Sequence, residues 1–213
     1  MTVDLGKIRN EYVRAGLSED DLDPSPVVQM RRWVEEAVSA GHPEPTAMTL
    51  ATATPDGQPS ARIVLLKDLD DAGLVFFTNY ESEKGRALAQ NPKASASFFW
   101  VMLERQVRVT GNVTRVSREQ SEAYFRTRPR EAQIGAWASP QSEVLASREA
   151  LAARVSQAAA RFGSDDVPCP PHWGGFRLAP HTWEFWQGRA NRLHDRLRYV
   201  TKDNAWRIER LAP

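Results

Sequence analysis

Strand-forming segments follow one another along this chain, and most of them are separated only by short turns. TAMTLATAT (46–54) is followed by Pro55-Asp56-Gly57 and then by SARIVLLK (60–67), which is the pattern of a β-hairpin. Similar segments recur at 73–79, 94–102, 105–116, 174–180, 181–188, 196–200 and 205–211. Because parallel strands need long crossover connections, these short turns predict an antiparallel sheet or barrel with helices at its side, in the α+β class.

Helical segments occupy the longer intervals. Pro26 opens a segment with apolar residues at helical spacing, which ends at Gly41. Ser117 precedes Gln120 with the spacing of a capping box. The other predicted helices are a short one around Ile8–Ala15, one over 82–90, one from Ser117 to about Thr127, and one over 143–162 with Leu145, Leu151, Val155, Ala158 and Phe162 on one face.

Composition excludes several classes of protein. The chain has 213 residues, of which 41% are hydrophobic and 26% charged, so one well-packed domain is expected. A net charge of +1 disfavours a dedicated nucleic-acid binder. No apolar run reaches the roughly 18 residues of a membrane span, and the N-terminal segment lacks the apolar stretch of a secretory signal. We therefore expect a cytoplasmic protein with neither a nucleic acid nor a membrane as partner.

Well-known catalytic and metal-binding motifs are missing from the sequence. It contains no G-x-G-x-x-G, G-x-x-x-x-G-K-[ST], G-x-S-x-G or H-E-x-x-H pattern. Its single cysteine, Cys169, excludes an internal disulfide and a cysteine zinc cluster. The four histidines are widely dispersed, so no metal site is predicted.

Cationic residues stand beside several predicted strands and helices. Arg62 and Lys67 flank the apolar segment 63–66, and Lys84 falls in the first turn of a helix, where anions are favoured. Tyr124 and Arg128 are four residues apart, a pairing that suits a phosphate ester. The alternatives are that the first two cations extend into solvent, and that Arg128 merely complements a helix dipole.

The densest cluster of chemistry-bearing residues is the segment 183–196, WEFWQGRANRLHDR. It holds three aromatic residues, three arginines and a histidine within fourteen positions. A flat aromatic or isoalloxazine ligand with anionic groups would use all of these donors and rings. An arginine-rich surface hairpin is the alternative.

Several of these blocks, in order along nearly the whole chain, resemble the pyridoxamine 5'-phosphate oxidase family. The blocks are RIVLLK (62–67), LERQVRV (103–109), YFRTRPREAQIGAW (124–137), QSE (141–143), WGGFRL (173–178), EFWQG (184–188), RLHDR (192–196) and AWRIERLAP (205–213). The resemblance implies an antiparallel split β-barrel with flanking helices, which binds FMN at the interface of a homodimer. It also implies oxidation of pyridoxamine 5'-phosphate or pyridoxine 5'-phosphate to pyridoxal 5'-phosphate, with hydride transfer to FMN and reoxidation by O2 to give H2O2.

The same resemblance assigns site residues by position. FMN contacts are implied for Arg62, Ile63, Val64, Leu65, Leu66, Lys67, Phe77, Thr78, Lys84, Gln106, Gln141, Ser142, Trp186 and Arg196. Substrate contacts are implied for Arg9, Glu11 and Tyr12 of an N-terminal segment that folds over the substrate, and for Lys67, Tyr124, Arg128, Arg192, Leu193 and His194. Arg192 and His194 are the expected catalytic pair, because they orient the substrate and His194 exchanges protons near neutral pH.

Two positions depart from the family pattern. Glu83 stands where an arginine commonly precedes Lys84 at the FMN phosphate, and Ala132 stands where a serine commonly touches the substrate phosphate. These departures bear on affinity rather than on the type of reaction. We expect FMN rather than FAD, since no adenine-binding motif is visible.

The expected organisation is a partly mobile N-terminal arm over 1–24, followed by a single FMN-binding split-barrel domain over 25–213. Two other functions remain open at this point. One is a different split-barrel flavin enzyme, such as a flavin reductase or a deazaflavin-dependent reductase. The other is a non-catalytic protein that binds flavin or vitamin B6.

Overall fold

A single antiparallel sheet organises the fold. The computed structural model describes residues 4–7, 11–203 and 205–213. Within them nine strands form one sheet: seven follow the order β2-β1-β5-β6-β7-β4-β3, while β8 pairs with β7 and β9 pairs with β8. The strands are β1 (Ala47–Ala53), β2 (Pro59–Leu65), β3 (Asp68–Asp70), β4 (Gly73–Asn79), β5 (Lys93–Trp100), β6 (Arg105–Arg115), β7 (Trp173–Gln187), β8 (Asp195–Lys202) and β9 (Ala205–Leu211). The predicted α+β class is confirmed.

Strand β7 divides the sheet. Along one edge it pairs with β6 over almost its whole length. Along the other edge its first part pairs with β4 and its last part with β8. The sequence predicts two strands here, and the structure has one strand of 15 residues. Because β4 and β8 pair with successive parts of the same edge of β7, the sheet curls and splits, as in a split β-barrel.

Five α-helices flank the sheet in the described residues. They are α1 (Pro26–Ser39), α2 (Glu83–Gln90), α3 (Arg118–Arg126), α4 (Arg130–Ala138) and α5 (Arg148–Phe162). Serine side chains accept a backbone N–H at the start of four of them: Ser25, Ser82, Ser117 and Ser147.

One helix prediction is wrong and one helix is new. The helix predicted around Ile8–Ala15 is not formed in its described part, since residues 11–15 carry no helix. The helix predicted over 143–162 is present as α5, which begins five residues later, and Phe162 is its only fully buried residue. This helix is rich in alanine and arginine, which favour helix formation without burial. Helix α4 was not expected.

The core lies between the curled sheet and α1. Its largest fully buried side chains include Trp33, Trp100, Trp183 and Phe185, and Trp33 meets Phe185 edge to face with ring centroids 5.0 Å apart. Leu17 and Leu22 also belong to this core, so the second half of the N-terminal segment packs against the sheet. No helix in the described part of the chain has the length and hydropathy of a membrane span.

Candidate active site

A cleft of about 640 Å³ opens between strands β2 and β4, the start of α2 and the end of α3. Nine of the predicted cofactor residues line it: Arg62, Ile63, Val64, Leu65, Lys67, Phe77, Thr78, Lys84 and Gln141. Tyr124 and Arg128, predicted as substrate contacts, line it as well. The structure therefore brings together residues from five separate blocks of sequence, as predicted.

Lys84 is a buried cation whose partners are all uncharged. Lys84 lies in the first turn of α2, and the residue is only 8% exposed. The Nζ atom lies 3.2 Å from the hydroxyl oxygens of Thr78 and Ser82 and 3.4 Å from Gln141 Oε1. Burial lowers the pKa of Lys84, and the charge of Arg62 lowers it further. A buried charge with neutral partners attracts an anion, so this end of the cleft suits a phosphate.

Arg62 and Glu83 form an ion pair at the same end of the cleft. Arg62 donates to Thr52 Oγ1 at 2.8 Å and to Ser60 Oγ at 2.6 Å, and its Nη2 lies 3.5 Å from Glu83 Oε1. The Ser60 hydroxyl donates to Glu83 at 2.7 Å, and this hydrogen bond holds the pKa of Glu83 below its usual value. The unusual carboxylate of Glu83 therefore forms an ion pair with Arg62, a cation that lines the cleft.

A second cationic end is formed by Tyr124 and Arg128. The guanidinium of Arg128 lies 4.7 Å from the ring centroid of Trp173, and its Nη1 atom is buried without a hydrogen-bond partner among the described residues. Burial lowers the pKa of Arg128 and raises that of Tyr124. The Tyr124 ring stacks on Phe77 with centroids 4.0 Å apart. An unpaired buried N–H beside a phenol is a ready donor pair for a second anion.

Apolar side chains also line the cleft. Ile63 and Leu65 point away from the core and are 64% and 37% exposed. Val64 and Leu66 point the other way, toward the core. Leu66, a predicted cofactor contact, does not line the cleft, and its side chain is buried in the core.

A separate group of aromatic residues lies at the end of β7. We call it the aromatic patch; it consists of Tyr12, Trp186 and His194. Tyr12 meets Trp186 and His194 edge to face, with centroids 5.5 and 5.7 Å apart, and Trp186 lies 4.7 Å from His194. None of the three lines the cleft. Tyr12 thus contacts the RLHDR segment within one chain.

The loop before His194 is conformationally unusual. Asn191 and Arg192 both have left-handed backbones, with φ of 57° and 64°. Such strained non-glycine residues cluster at functional sites. The backbone N–H of Arg189 donates to His194 Nδ1 at 3.1 Å, which requires a neutral ring with its proton on Nε2. Burial, followed by the charge of Arg192, lowers the pKa of His194.

Arg196 faces Glu184 in this chain. Its Nε donates to Glu184 Oε1 at 2.8 Å, and its Nη1 donates to the carbonyl of Ala212 at 2.9 Å. Arg108 also donates to Glu184. Burial opposes ionisation of Glu184, but these arginines outweigh it and hold its pKa below the usual value. Gln106, Trp186 and Arg196 are register partners across β6, β7 and β8, on the face opposite the core.

Protein-family models cover most of the chain. Residues 34–162 match the family described as pyridoxamine 5'-phosphate oxidase, and residues 173–213 match the region described as pyridoxine 5'-phosphate oxidase C-terminal dimerisation region. The chain belongs to the pyridoxamine 5'-phosphate oxidase family. It is therefore a member of an oxidoreductase family.

Individual relatives support this assignment over nearly the full length. The chain is 56% identical over 210 residues to the pyridoxine/pyridoxamine 5'-phosphate oxidase of Rubrobacter xylanophilus, covering 99% of this chain and 97% of the relative. It is 55% identical over 213 residues to the enzyme of the same name from Burkholderia thailandensis, covering 98% and 99%.

Solved structures agree with the fold. PhzG from Burkholderia lata, crystallised with tetrahydrophenazine-1-carboxylic acid, has a TM-score of 0.89 at 33% identity and covers 96% of this chain and all of its own. An FMN-binding protein from Nostoc punctiforme has a TM-score of 0.71 at 19% identity and covers 90% of this chain and all of its own. The second similarity concerns the fold alone.

For this family member, the predicted site residues thus fall into two regions of one chain. Ser142, beside Gln141, has a left-handed φ of 75°. Glu11 and Leu193 are exposed, and they adjoin Tyr12 and His194 in the sequence. Arg9 lies outside the described residues. Ala132 lies in the first turn of α4.

Sequence reasoning missed several residues that line the cleft. These are Asn79, Thr127, Pro129 and Trp173. Trp173 opens the WGGFRL block, and its position as the first residue of a strand was the available signal. Asn79, at the end of β4, gave no signal beyond its position two residues after Phe77.

Proposed function

We propose that this protein is an FMN-dependent oxidase that converts pyridoxamine 5'-phosphate and pyridoxine 5'-phosphate to pyridoxal 5'-phosphate. The observation that carries the proposal is the pair of cationic ends in one cleft. Among the described residues, Lys84 has only uncharged hydrogen-bond partners and Arg128 has a buried N–H without a partner. Two phosphate-bearing molecules placed side by side, a cofactor and a substrate, would satisfy both.

FMN suits the Lys84 end of the cleft. Lys84, Arg62 and Thr78 would hold its phosphate, and the exposed apolar side chains of Ile63 and Leu65 would face its ring. Bound FMN would supply the acceptor for the two electrons removed from the substrate, with O2 as the final oxidant and H2O2 as its product. The protein then needs no nucleophile or metal, which agrees with the motifs missing from the sequence.

The substrate phosphate suits the other end of the cleft. Tyr124 and Arg128 would bind it, with Lys67 at the exposed edge. Arg192 and His194 would orient the substrate near its reacting carbon, and the neutral His194 ring would hold or move a proton at Nε2. Their contribution is positioning, since the redox chemistry belongs to the cofactor.

A homodimer would join the two regions. The cleft and the aromatic patch are separate within one chain, and residues 173–213 match a dimerisation region. We propose that the cleft of one protomer receives Gln106, Trp186, Arg192, His194 and Arg196 from its partner, giving two equivalent sites. Light scattering on the flavin-loaded protein should give twice the 24.0 kDa chain mass; a single-chain mass with full activity contradicts this arrangement.

One experiment tests the function directly. The purified protein is loaded with FMN, and formation of pyridoxal 5'-phosphate and H2O2 is measured with pyridoxamine 5'-phosphate, pyridoxamine, and tetrahydrophenazine-1-carboxylic acid. The proposal expects turnover with the phosphorylated amine and little with the other two. Flavin binding without turnover would indicate a non-catalytic binder, and turnover of the phenazine compound alone would indicate a different oxidase. Release of FAD on heating would contradict the choice of cofactor.

A further inference from the structure

The turn between β5 and β6 holds the N-terminal segment through one carboxylate. Glu104 has a left-handed backbone with a φ of 55°. Its Oε2 atom accepts the backbone N–H groups of Val13 and Arg14, each at 3.0 Å. These bonds span 91 and 90 residues of sequence. Two N–H groups on one charged oxygen form a strong and directional contact.

Glu104 is also fixed to the end of β7. Its carbonyl accepts the backbone N–H of Gly188 at 2.7 Å and the side-chain amide of Gln187 at 3.2 Å. The backbone of Glu104 is therefore fixed beside the end of β7, one to two residues after Trp186.

A second carboxylate, that of Asp195, binds the N-terminal segment farther along the chain. Asp195 Oδ2 accepts the backbone N–H of Leu17 at 3.0 Å, and Asp195 Oδ1 accepts from Arg210 at 2.9 Å. Arg210 also donates to the carbonyl of Leu17 at 3.2 Å. The segment 13–17 is thus held at both ends, whereas Tyr12 lies just beyond the Glu104 contact.

Tyr12 fits closely against the end of β7. A Cβ atom at Gly188 would lie 2.6 Å from Tyr12 Cγ, so only glycine leaves room for the ring there. The ring then meets both Trp186 and His194. Because Tyr12 adjoins Val13 in the chain, its position depends on the bonds that Glu104 makes.

We propose that Glu104 is a positioning residue of the active site, which holds Tyr12 over His194 and Trp186 by binding the Val13 and Arg14 amides. The kinetic part of this inference rests on the proposed oxidase function. Loss of the Glu104 carboxylate should release the segment around Tyr12 and weaken substrate binding, while FMN binding in the cleft should not change.

The test compares Glu104→Asn with Glu104→Gln in the FMN-loaded full chain. Asparagine tolerates the left-handed backbone but is too short to reach the amides, whereas glutamine keeps an acceptor at the same reach. Glu35→Ala, on the exposed face of α1, is the matched control. The measurements are the rate of tryptic cleavage after Arg14, the KM and kcat for pyridoxamine 5'-phosphate, and the FMN affinity by flavin fluorescence.

We expect Glu104→Asn to raise both the cleavage rate and the KM by about fivefold or more, with FMN affinity unchanged. Glu104→Gln should lie between this variant and the original protein, and Glu35→Ala should match the original. In a Tyr12→Ala background, Glu104→Asn should add no further increase in KM. An unchanged cleavage rate, or an equal KM increase in both backgrounds, would overturn the inference. If the original protein lacks turnover, the proposed function fails, and the cleavage comparison alone decides the Glu104 contact.

Discussion

The cleft and the aromatic patch differ in how their charges are balanced. In the cleft, the buried Lys84 and the half-buried Arg128 have no carboxylate partner in hydrogen-bond distance among the described residues. Around the patch, Arg196 is bound to Glu184 and Arg210 to Asp195. Lys84 and Arg128 are thus available for an external anion, whereas Arg196 and Arg210 are already neutralised within the chain.

This difference indicates separate tasks. Buried cations without counter-ions carry a desolvation cost that a bound phosphate offsets, so the cleft should govern affinity for phosphorylated molecules. The patch contributes rings and a neutral imidazole, and Arg192 lies two residues before His194, so this region should govern the orientation of the substrate.

The largest effect is expected when Lys84 is replaced by alanine. Loss of a charge-assisted bond of about 1.5–3 kcal/mol weakens FMN binding by about 10- to 150-fold. Turnover should be largely recovered in excess FMN. Flavin fluorescence titration measures the affinity, and Lys93→Ala, an exposed lysine on β5, is the control. FMN affinity equal to that of the control would remove Lys84 from the cofactor site.

Arg192→Leu should act on the other region. We expect kcat/KM to fall about tenfold or more, because a planar donor that orients the substrate is lost. FMN content should stay near one per subunit. Arg148→Leu, on the exposed start of α5, is the control. If Arg192→Leu loses its flavin but shows normal substrate kinetics after reconstitution, the division of tasks is wrong.

Glu83→Gln should have a smaller and opposite effect. Removing this carboxylate frees Arg62 and makes the cleft more positive, so FMN should bind about two- to fivefold more tightly. The same fluorescence titration at low and moderate salt measures this gain, which should shrink as salt rises. Weaker FMN binding would show that Glu83 supports the cleft through Ser60 instead.

The smallest effect concerns pH. Burial and Arg192 lower the pKa of His194 below its usual 6.5, so the neutral ring should persist at pH 7 and activity should decline only below pH 6.5. In Arg192→Leu the repulsive charge is absent, so the acidic limb of kcat/KM should move upward by a fraction of a pH unit. Arg148→Leu should leave this limb in place. A downward shift in Arg192→Leu would contradict the assignment of His194.

The sequence correctly predicted the turns and helix starts that are determined by neighbouring residues. The hairpin at Pro55-Asp56-Gly57 and the helix opened by Pro26 are confirmed, since turn residues and caps act over a few positions. Pro129 misled the prediction: it stops α3, but it also stands at the N-cap of α4. A proline is compatible with both, so its sequence position alone does not separate them.

The site was predictable only in part. Lys84, Tyr124 and Arg128 stood out by residue type and spacing, and the cleft contains all three. The bonds from Glu104 to Val13 and Arg14 have no local signature, because they join residues about 90 positions apart. The pairing of Glu83 with Arg62 was equally hidden, since it depends on how close β2 lies to α2.

The single long strand β7 restricts how the protein can diverge. Its first residue, Trp173, lines the cleft, while Trp186 near its end belongs to the aromatic patch. Side chains alternate between faces along a strand, so inserting one residue near Pro180 would turn one of these tryptophans to the wrong side. The orientations of Trp173 and Trp186 are therefore coupled through the alternation of side chains along β7. Substitutions within β7 keep this alternation, whereas changes in length are better tolerated in connections such as 163–172.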